Sequence, residues 1–337
     1  MFDLLSKLIS IRACPGREHN IAQIISDIMK PLADECSIDV VGNVICLIRG
    51  DGENKKKLLY AAHTDEVGMI VTKIDNNGFI RFTNNGFPNW MSTAFRDVIF
   101  ESGAKGMVIA ESGSGTPEPQ KMYVDIGARS RNEALKYVNV GDTFSAEGYL
   151  VRLAGNTVAG RPIDNRIGCA VLISAAEKLN KSGKRPYNDI YFVFTAQEET
   201  ALPAVGGSVA SFEIQPDIGI AVDVCATGDT PGAAPVETSV GGGTVVQIRD
   251  STIVFDYKLV KDMIKACEDN GIFYQRLVTS AGGTDAVPMQ KIGRGCRAGA
   301  IGIPMRYLHT SAELCDLSDA ESCVSLVLAL CDKEFEY

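Results

Sequence analysis

Histidine is scarce: the 337 residues contain only His19, His63 and His309, so an imidazole-based site has few places to be. Tryptophan occurs once. The ten cysteines, at 14, 36, 46, 169, 225, 267, 296, 315, 323 and 331, include no C-x-x-C pair. Tetrathiolate zinc needs such pairs, and a disulfide framework belongs to short secreted chains. These thiols are therefore expected to be reduced, mostly buried small hydrophobes. Basic charge is also short, with 33 Lys and Arg against 42 Asp and Glu and a net charge of -9. Such a chain lacks the basic patch of a nucleic-acid binder. No apolar run approaches the roughly 18 residues that suggest a membrane span. Met1–Lys7 carries an acid and no signal-peptide core, so neither a membrane nor nucleic acid is expected as partner, and cytoplasm is the expected compartment.

What remains is an ordinary globular mix, 45% apolar and 22% charged, long enough for about two domains. Helical apolar spacing runs over residues 2–9, and Ile21, Ile24, Ile25, Ile28 and Met29 mark a second amphipathic helix. A turn at 39–43 leads into a short strand at 44–47. The apolar run from Leu58 to Ala62, ending at His63, suits a strand buried on both faces. From 69 to 149 the texture changes to short β-like segments separated by Asn-Asn-Gly, Ser-Gly and Gly-Asp turns, which reads as a small barrel or sandwich. Beyond Gly160 the α/β alternation returns: helices near 166–181, 256–270 and 318–332, and strands at 189–196, 217–223, 244–248 and 272–277. The simplest organisation is one α/β domain, residues 1–68 and 150–337, interrupted by a β-rich insertion at 69–149.

Five polar side chains stand at strand ends or in loops of the α/β portion, where open sheets bind ligands. His63 ends an apolar strand, with Asp65 two residues on to orient an imidazole that binds metal. Read alone, the pair is equally a strand-end histidine capped by a turn. Asp164 precedes a helical pattern and reads as an N-cap or as a carboxylate shared by two metals. Glu198-Glu199 follows a strand, either complementing a helix dipole or dividing ligation from proton transfer. Asp223 and His309 follow further strands. Together His63, Asp164, Glu199, Asp223 and His309 bring about three negative charges and two imidazoles, nearly balancing two divalent cations. Mixed nitrogen and oxygen donors suit zinc, cobalt or manganese, and a pair of such ions can activate water and polarise a carbonyl. Glu198, beside a ligand but free itself, is the natural general base.

The strings His63-Thr64-Asp65-Glu66-Val67-Gly68, Asp164-Asn165-Arg166-Ile167-Gly168 and Gln197-Glu198-Glu199 resemble the glutamyl/deblocking aminopeptidases. So do Asp223 with Gly228-Asp229-Thr230-Pro231, Gly282-Gly283-Thr284-Asp285-Ala286 and Pro304-Met305-Arg306-Tyr307-Leu308-His309. These are dinuclear metallopeptidases whose members build tetrahedral particles, and some carry the label endoglucanase. The resemblance spans nearly the whole chain and includes Asp125-Ile126-Gly127-Ala128 of the insertion. It implies a zinc-peptidase-like α/β/α sandwich with an inserted small β-barrel that helps form homo-oligomers, from dimer to dodecamer. It implies peptide substrates and two divalent metal ions per chain. By position, Asp164 bridges the metals, His63 and Asp223 hold one, Glu199 and His309 the other, Glu198 is the base and Asp65 supports His63. Thr284, Asp285 and Arg306 are candidates to line a substrate pocket, with fold support as an equal alternative.

One stretch departs from the family. After the paired glutamates the chain reads Thr200-Ala201-Leu202-Pro203-Ala204-Val205-Gly206-Gly207, where the family continues with Val-Gly and an Arg-Gly-Ala-like stretch. That difference bears on the substrate pocket rather than the metals. Cys169 and Cys225, near Asp164 and Asp223, are expected to pack rather than react. Rival readings are a deacylase on the same scaffold, a glucanase, which would ordinarily need two opposed carboxyls and no metal, and a non-catalytic assembly module.

Overall fold

The structure, a computed structural model, describes residues 1–111, 113, 115–200, 204–233 and 235–337. The N-terminal segment forms α1 (Phe2–Ile9) and α2 (His19–Met29), whose apolar stripes bury Leu5, Leu8, Ile21, Ile25 and Met29. The hairpin β1 (Glu35–Ile38) and β2 (Val44–Ile48) turns on Asp39, whose Oδ1 accepts from the backbone N–H groups of Val41, Gly42 and Asn43. After β3 (Lys57–His63) come β4 (Gly68–Ile74), β5 (Ile80–Asn85), α3 (Trp90–Thr93), β6 (Asp97–Phe100) and β7 (Lys105–Ala110). Next are β8 (Met122–Asp125), α4 (Arg131–Ala134), β9 (Thr143–Ala146), β10 (Tyr149–Arg152) and β11 (Thr157–Arg161). The chain continues through α5 (Arg166–Ser182), β12 (Asp189–Thr195), α6 (Val205–Ile214), β13 (Ile218–Ala226) and β14 (Thr244–Arg249). It closes with α7 (Tyr257–Asp269), β15 (Tyr274–Val278), α8 (Ala286–Lys291), β16 (Arg297–Arg306), β17 (Glu313–Asp316) and α9 (Leu317–Cys331).

Eleven strands make one mixed sheet in the order β1-β2-β12-β3-β13-β16-β17-β11-β10, with β14 joining β16 to β15. At its centre β12, β3, β13 and β16 run parallel, so their C-terminal ends emerge on one edge. Alternation along β3 explains why its sequence is apolar throughout. Leu58, Tyr60 and Ala62 enter the large core shared with α1, α2, α5, α7 and α9, whereas Leu59 and Ala61 face a smaller cluster with Ala210 and Ile214 of α6 and Met289 of α8. Both faces are thus covered, as parallel strands require. Close packing also fixes Gly168 of α5, because a Cβ there would lie 2.6 Å from the Val222 carbonyl oxygen of β13.

The strands β4-β5-β8-β7-β6-β9 close into a barrel. Alternate residues fill it, among them Met69, Val71, Phe82, Phe100, Val124 and Phe144, with Phe82 and Phe144 edge to face at 5.3 Å. Polar contacts tie barrel to sandwich. Arg161 Nη2 donates to the Val67 carbonyl at 2.8 Å, and Arg12 Nη1 to that of Ile99 at 3.0 Å. Helices α6 and α8 carry no strong sequence signal: α6 begins Val-Gly-Gly and α8 is six residues long with an internal proline. No described helix is long and apolar enough to cross a membrane.

Candidate metal and active site

The parallel edge of the sheet gathers the predicted residues. His63 ends β3, Glu198 and Glu199 follow β12, Asp223 lies in the last half of β13, and His309 follows β16. Asp164 arrives from β11, which β17 separates from β16, through the turn before α5. Asn165, rather than Asp164, is the N-cap of α5: its side chain accepts from the Gly168 N–H at 3.1 Å. Asp164 is thereby free of the capping role that its position suggested. Its backbone is held instead by Glu313, whose Oε2 accepts from the N–H groups of Ile163 at 2.7 Å and Asp164 at 3.1 Å.

Asp164 sits between the two imidazoles. Oδ1 is 3.2 Å from His63 Nε2, and Oδ2 is 3.3 Å from His309 Nε2. Asp223 Oδ1 lies 3.7 Å from His63 Nε2, and Glu199 Oε1 lies 3.5 Å from His309 Nε2. Donor atoms of His63, Asp164 and Glu199 all fall within 4.8 Å of one another. The far nitrogen of each ring meets a carbonyl, His63 Nδ1 that of Asp65 and His309 Nδ1 that of Phe87, both at 3.1 Å. In the neutral ring that a metal requires, an N–H donating there leaves the Nε2 lone pair on the side of the acids.

Asp65 acts on more than the imidazole. Its Oδ1 is 3.6 Å from His63 Nδ1, farther than its own carbonyl, while its two carboxylate oxygens accept from the backbone N–H groups of Glu198 at 3.0 Å and Glu199 at 2.9 Å. One buried acid therefore ties the strand carrying the histidine to the loop carrying the glutamates.

The electrostatics describe a site short of positive charge. Burial opposes ionisation of Glu198, Glu199 and Asp223; neighbouring acids add to it, and their carboxyls rise, Glu199 to about 8. Burial also opposes a charge on the histidines, yet Asp164 and the surrounding acids overcome it and both imidazoles rise, His309 to about 10. Burial would raise Asp164 as well, but the two imidazoles hold its carboxyl below the usual range. Among the described residues Asp164 Oδ1 is buried with no formed hydrogen bond, its near neighbour being His63 Nε2 at 3.2 Å. Buried carboxylates and imidazoles that draw protons, packed around Asp164, form a donor set that fits divalent cations.

A cavity of about 380 Å³ opens on these residues. Its wall includes Thr284, but Asp285 and Arg306 are not among its described lining residues. Asp285 is buried and accepts from Thr195 Oγ1 at 2.5 Å, and Arg306 forms a two-pronged pair with Asp229, at 3.1 and 2.5 Å, that holds that carboxyl at about 2. Cys169 is buried beneath the site, its Sγ donating to the His63 carbonyl at 3.2 Å, and burial pushes its thiol up to about 12. It packs as a neutral thiol. Cys225 lines the cavity and is likewise raised by burial. Residues 201–203 of the atypical stretch, including Pro203, lie outside the described residues.

Residues 42–326 match the sequence pattern of M42 glutamyl aminopeptidases. The chain belongs to that family. A provisionally named aminopeptidase of Acetivibrio thermocellus is 41% identical over 335 residues, covering 98% of each chain. An aminopeptidase of the archaeon Desulfurococcus kamchatkensis has a similar structure, with a TM-score of 0.93 and 30% identity over 98% of this chain and 94% of that one. A Pyrococcus horikoshii TET1 peptidase, which assembles into a tetrahedron or a large octahedral shell, superposes at 0.87 with 29% identity over 99% of both chains. As an M42 member the chain is a peptide hydrolase of the aminopeptidase class, and divalent metal belongs to its chemistry.

Three supporting residues were given no role by the sequence reading. Arg166 is fully buried and donates from Nε to the Thr64 carbonyl at 2.9 Å and from Nη1 to those of Ile11, at 2.7 Å, and Leu8. Glu313 holds Asp164 as described. Glu18 Oε1 accepts from the Gln197 N–H at 3.0 Å, next to the paired glutamates. Only Arg166, inside the Asp164 motif, carried a signal in sequence.

Proposed function

We propose that the chain is a two-metal aminopeptidase in which His63 and Asp223 hold one divalent cation, Glu199 and His309 the other, and Asp164 spans both. The observation that carries this reading is the placement of the two Asp164 oxygens, one toward each imidazole, at 3.2 and 3.3 Å. Zinc, cobalt and manganese suit these donors. When bound, such ions acidify water and polarise the scissile carbonyl. Glu198 takes the proton from the attacking water and returns it to the departing amine, a role supported by its raised affinity for protons and its position in the cavity wall. Asp65 fixes the loop that presents Glu198 through its backbone N–H.

We further infer that residues 69–149 form an assembly domain inserted into a catalytic unit of residues 1–68 and 150–337, and that copies of the chain associate through it. Support comes from the assemblies of the Pyrococcus horikoshii relative and from Met91 and Phe95, exposed apolar side chains on the barrel.

The test is to strip the metal with a chelator and restore it while assaying aminoacyl-p-nitroanilides and their acyl-blocked counterparts. The expected result is activity on free-amine substrates that disappears on stripping and returns as metal approaches two per chain. Cleavage that survives chelation would overturn the metal mechanism, and release of the acyl group from the blocked substrates would favour a deacylase.

A further inference from the structure

We propose that Cys36 and Cys46 form a reversible oxidation site, closed to a disulfide across the β1–β2 hairpin by a hydroperoxide and reopened by a small thiol. The two residues stand directly opposite each other in the antiparallel ladder. Opposed residues in such a ladder have Cα atoms about 4.5–5.5 Å apart, inside the roughly 4.4–6.8 Å range of natural disulfides. The two sulfurs already lie 2.8 Å apart, so closing a bond of about 2.0 Å asks for less than about 1 Å of travel. Strand β1 is at the end of the sheet, so β2 is the one strand whose pairing must follow that movement.

The two thiols are also unequal in a useful way. Cys46 is fully buried in the large core, whereas Cys36 is only partly covered. Ser26 Oγ of α2 lies 3.8 Å from Cys36 Sγ, and Lys30, paired with Asp27 at 3.3 Å, ends the same helix. The hydrogen bond from the Cys46 thiol, with smaller help from Ser26 and Lys30, outweighs burial and the charge of Asp27, and the Cys36 thiol falls to about 7. Cys46, the donor, rises. Burial raises the other eight thiols, so Cys36 is the cysteine that supplies a thiolate at neutral pH. With hydrogen peroxide the chemistry runs in two steps. The Cys36 thiolate attacks one oxygen and the O–O bond breaks. The departing hydroxide takes up the proton that Cys36 had released and leaves as water, so that Cys36 becomes a sulfenic acid. Cys46 Sγ then attacks the Cys36 sulfur, the S–O bond breaks, and the thiol proton leaves with that oxygen as a second water. Two thiols are oxidised to one disulfide, and one peroxide is reduced to two waters.

The experiment treats the reduced, metal-loaded full chain with a small excess of hydrogen peroxide at neutral pH, blocks the remaining thiols by alkylation, and reads intact mass and peptide maps. Before alkylation a loss of about 2 Da is expected, restored by dithiothreitol. Cleavage at Asp39, which lies between the two cysteines, should leave its two flanking peptides joined through Cys36 and Cys46 until they are reduced. Cys36→Ser, a change at the partly covered position, is expected to abolish the mass loss and leave Cys46 alkylated in the unfolded digest. Cys46→Ala is expected to hold Cys36 as a sulfenic acid, trapped by dimedone. A wild-type chain that oxidises at other cysteines while Cys36 stays reduced would overturn the proposal. So would oxygen added at Cys36 with no joined peptides, or the same mass loss in Cys36→Ser.

Discussion

The two histidines of the centre are positioned in different ways. His63 is 2% exposed at the end of β3, beside the strand that carries Asp223. His309 keeps 29% of its side chain exposed and lies in a turn at φ 57°, its ring against the Phe87 carbonyl in the loop between β5 and α3. Its neighbour Glu199 also comes from a loop, two residues after Gln197, which is at φ 57° as well. Left-handed backbone at residues with a side chain costs about 1 kcal/mol or more, so the surroundings must enforce it. Parallel strands hydrogen-bonded on both sides fix the His63–Asp223 half through the sheet itself. The His309–Glu199 half depends on a few named anchors: Asp65 to Glu198 and Glu199, Glu18 to Gln197, and Phe87 to His309. One half is therefore as rigid as the core, and the other is as rigid as its hydrogen bonds.

The largest expected effect is at the tip of the anchored loop. Glu198→Gln should lower kcat by roughly 10³-fold, within the usual range for losing a general base, with both metals retained by elemental analysis. Wild-type kcat in that variant would remove the reason for holding the loop so firmly. Graded chelation probes the contrast itself. The cation on the His309 side should leave first, giving two steps of metal loss, and His309→Ala should abolish only the first. A two-step profile unchanged in His309→Ala would break the assignment of that histidine. Asp65→Asn is smaller: the amide has one acceptor oxygen where the acid offers two, so one of the N–H groups of Glu198 and Glu199 loses its partner. A fall in kcat of about tenfold with little change in KM is expected, together with a shifted pH–rate profile. A rise in KM at constant kcat would show that Asp65 does not act through Glu198.

The same contrast explains what could be read from the sequence. β3 and β12 were legible as strands because both faces are buried and the whole run is apolar, which also located His63 and the paired glutamates at strand ends. The short strands of the barrel were legible from turn chemistry and alternation. Asp164 was found, but its local context favoured an N-cap, and only packing reveals that Asn165 takes that role. The anchors were hidden for a physical reason. Glu18 and Glu313 are lone acids distant in sequence from the residues they hold, Glu18 from Gln197 and Glu313 from Asp164. No periodicity or spacing marks a carboxylate whose partners are backbone N–H groups brought near by the fold.

Glu18 offers the gentlest test of the anchored half. It is 4% exposed, and burial, reinforced by the charge of Asp65, pushes its carboxyl from 4.5 up to about 7. Oε1 nevertheless accepts from the N–H groups of Gly16 at 2.8 Å and Gln197 at 3.0 Å. Between pH 4.5 and 7 the folded chain at this group binds more protons than the unfolded chain, so its contribution to stability falls as pH rises through that window. Above 7 the loss levels off, on the order of 3 kcal/mol. Glu18→Gln keeps an acceptor oxygen for both N–H groups and removes the ionisation. The variant should therefore match the wild type in thermal stability near pH 4.5 and exceed it at pH 8 by about 2–5 °C. Other acids titrate over the same range in both proteins, so the difference between the two melting curves isolates Glu18. A difference that stays constant with pH would mean that this carboxyl is ionised throughout, and that the loop before Glu198 rests on a permanent charge.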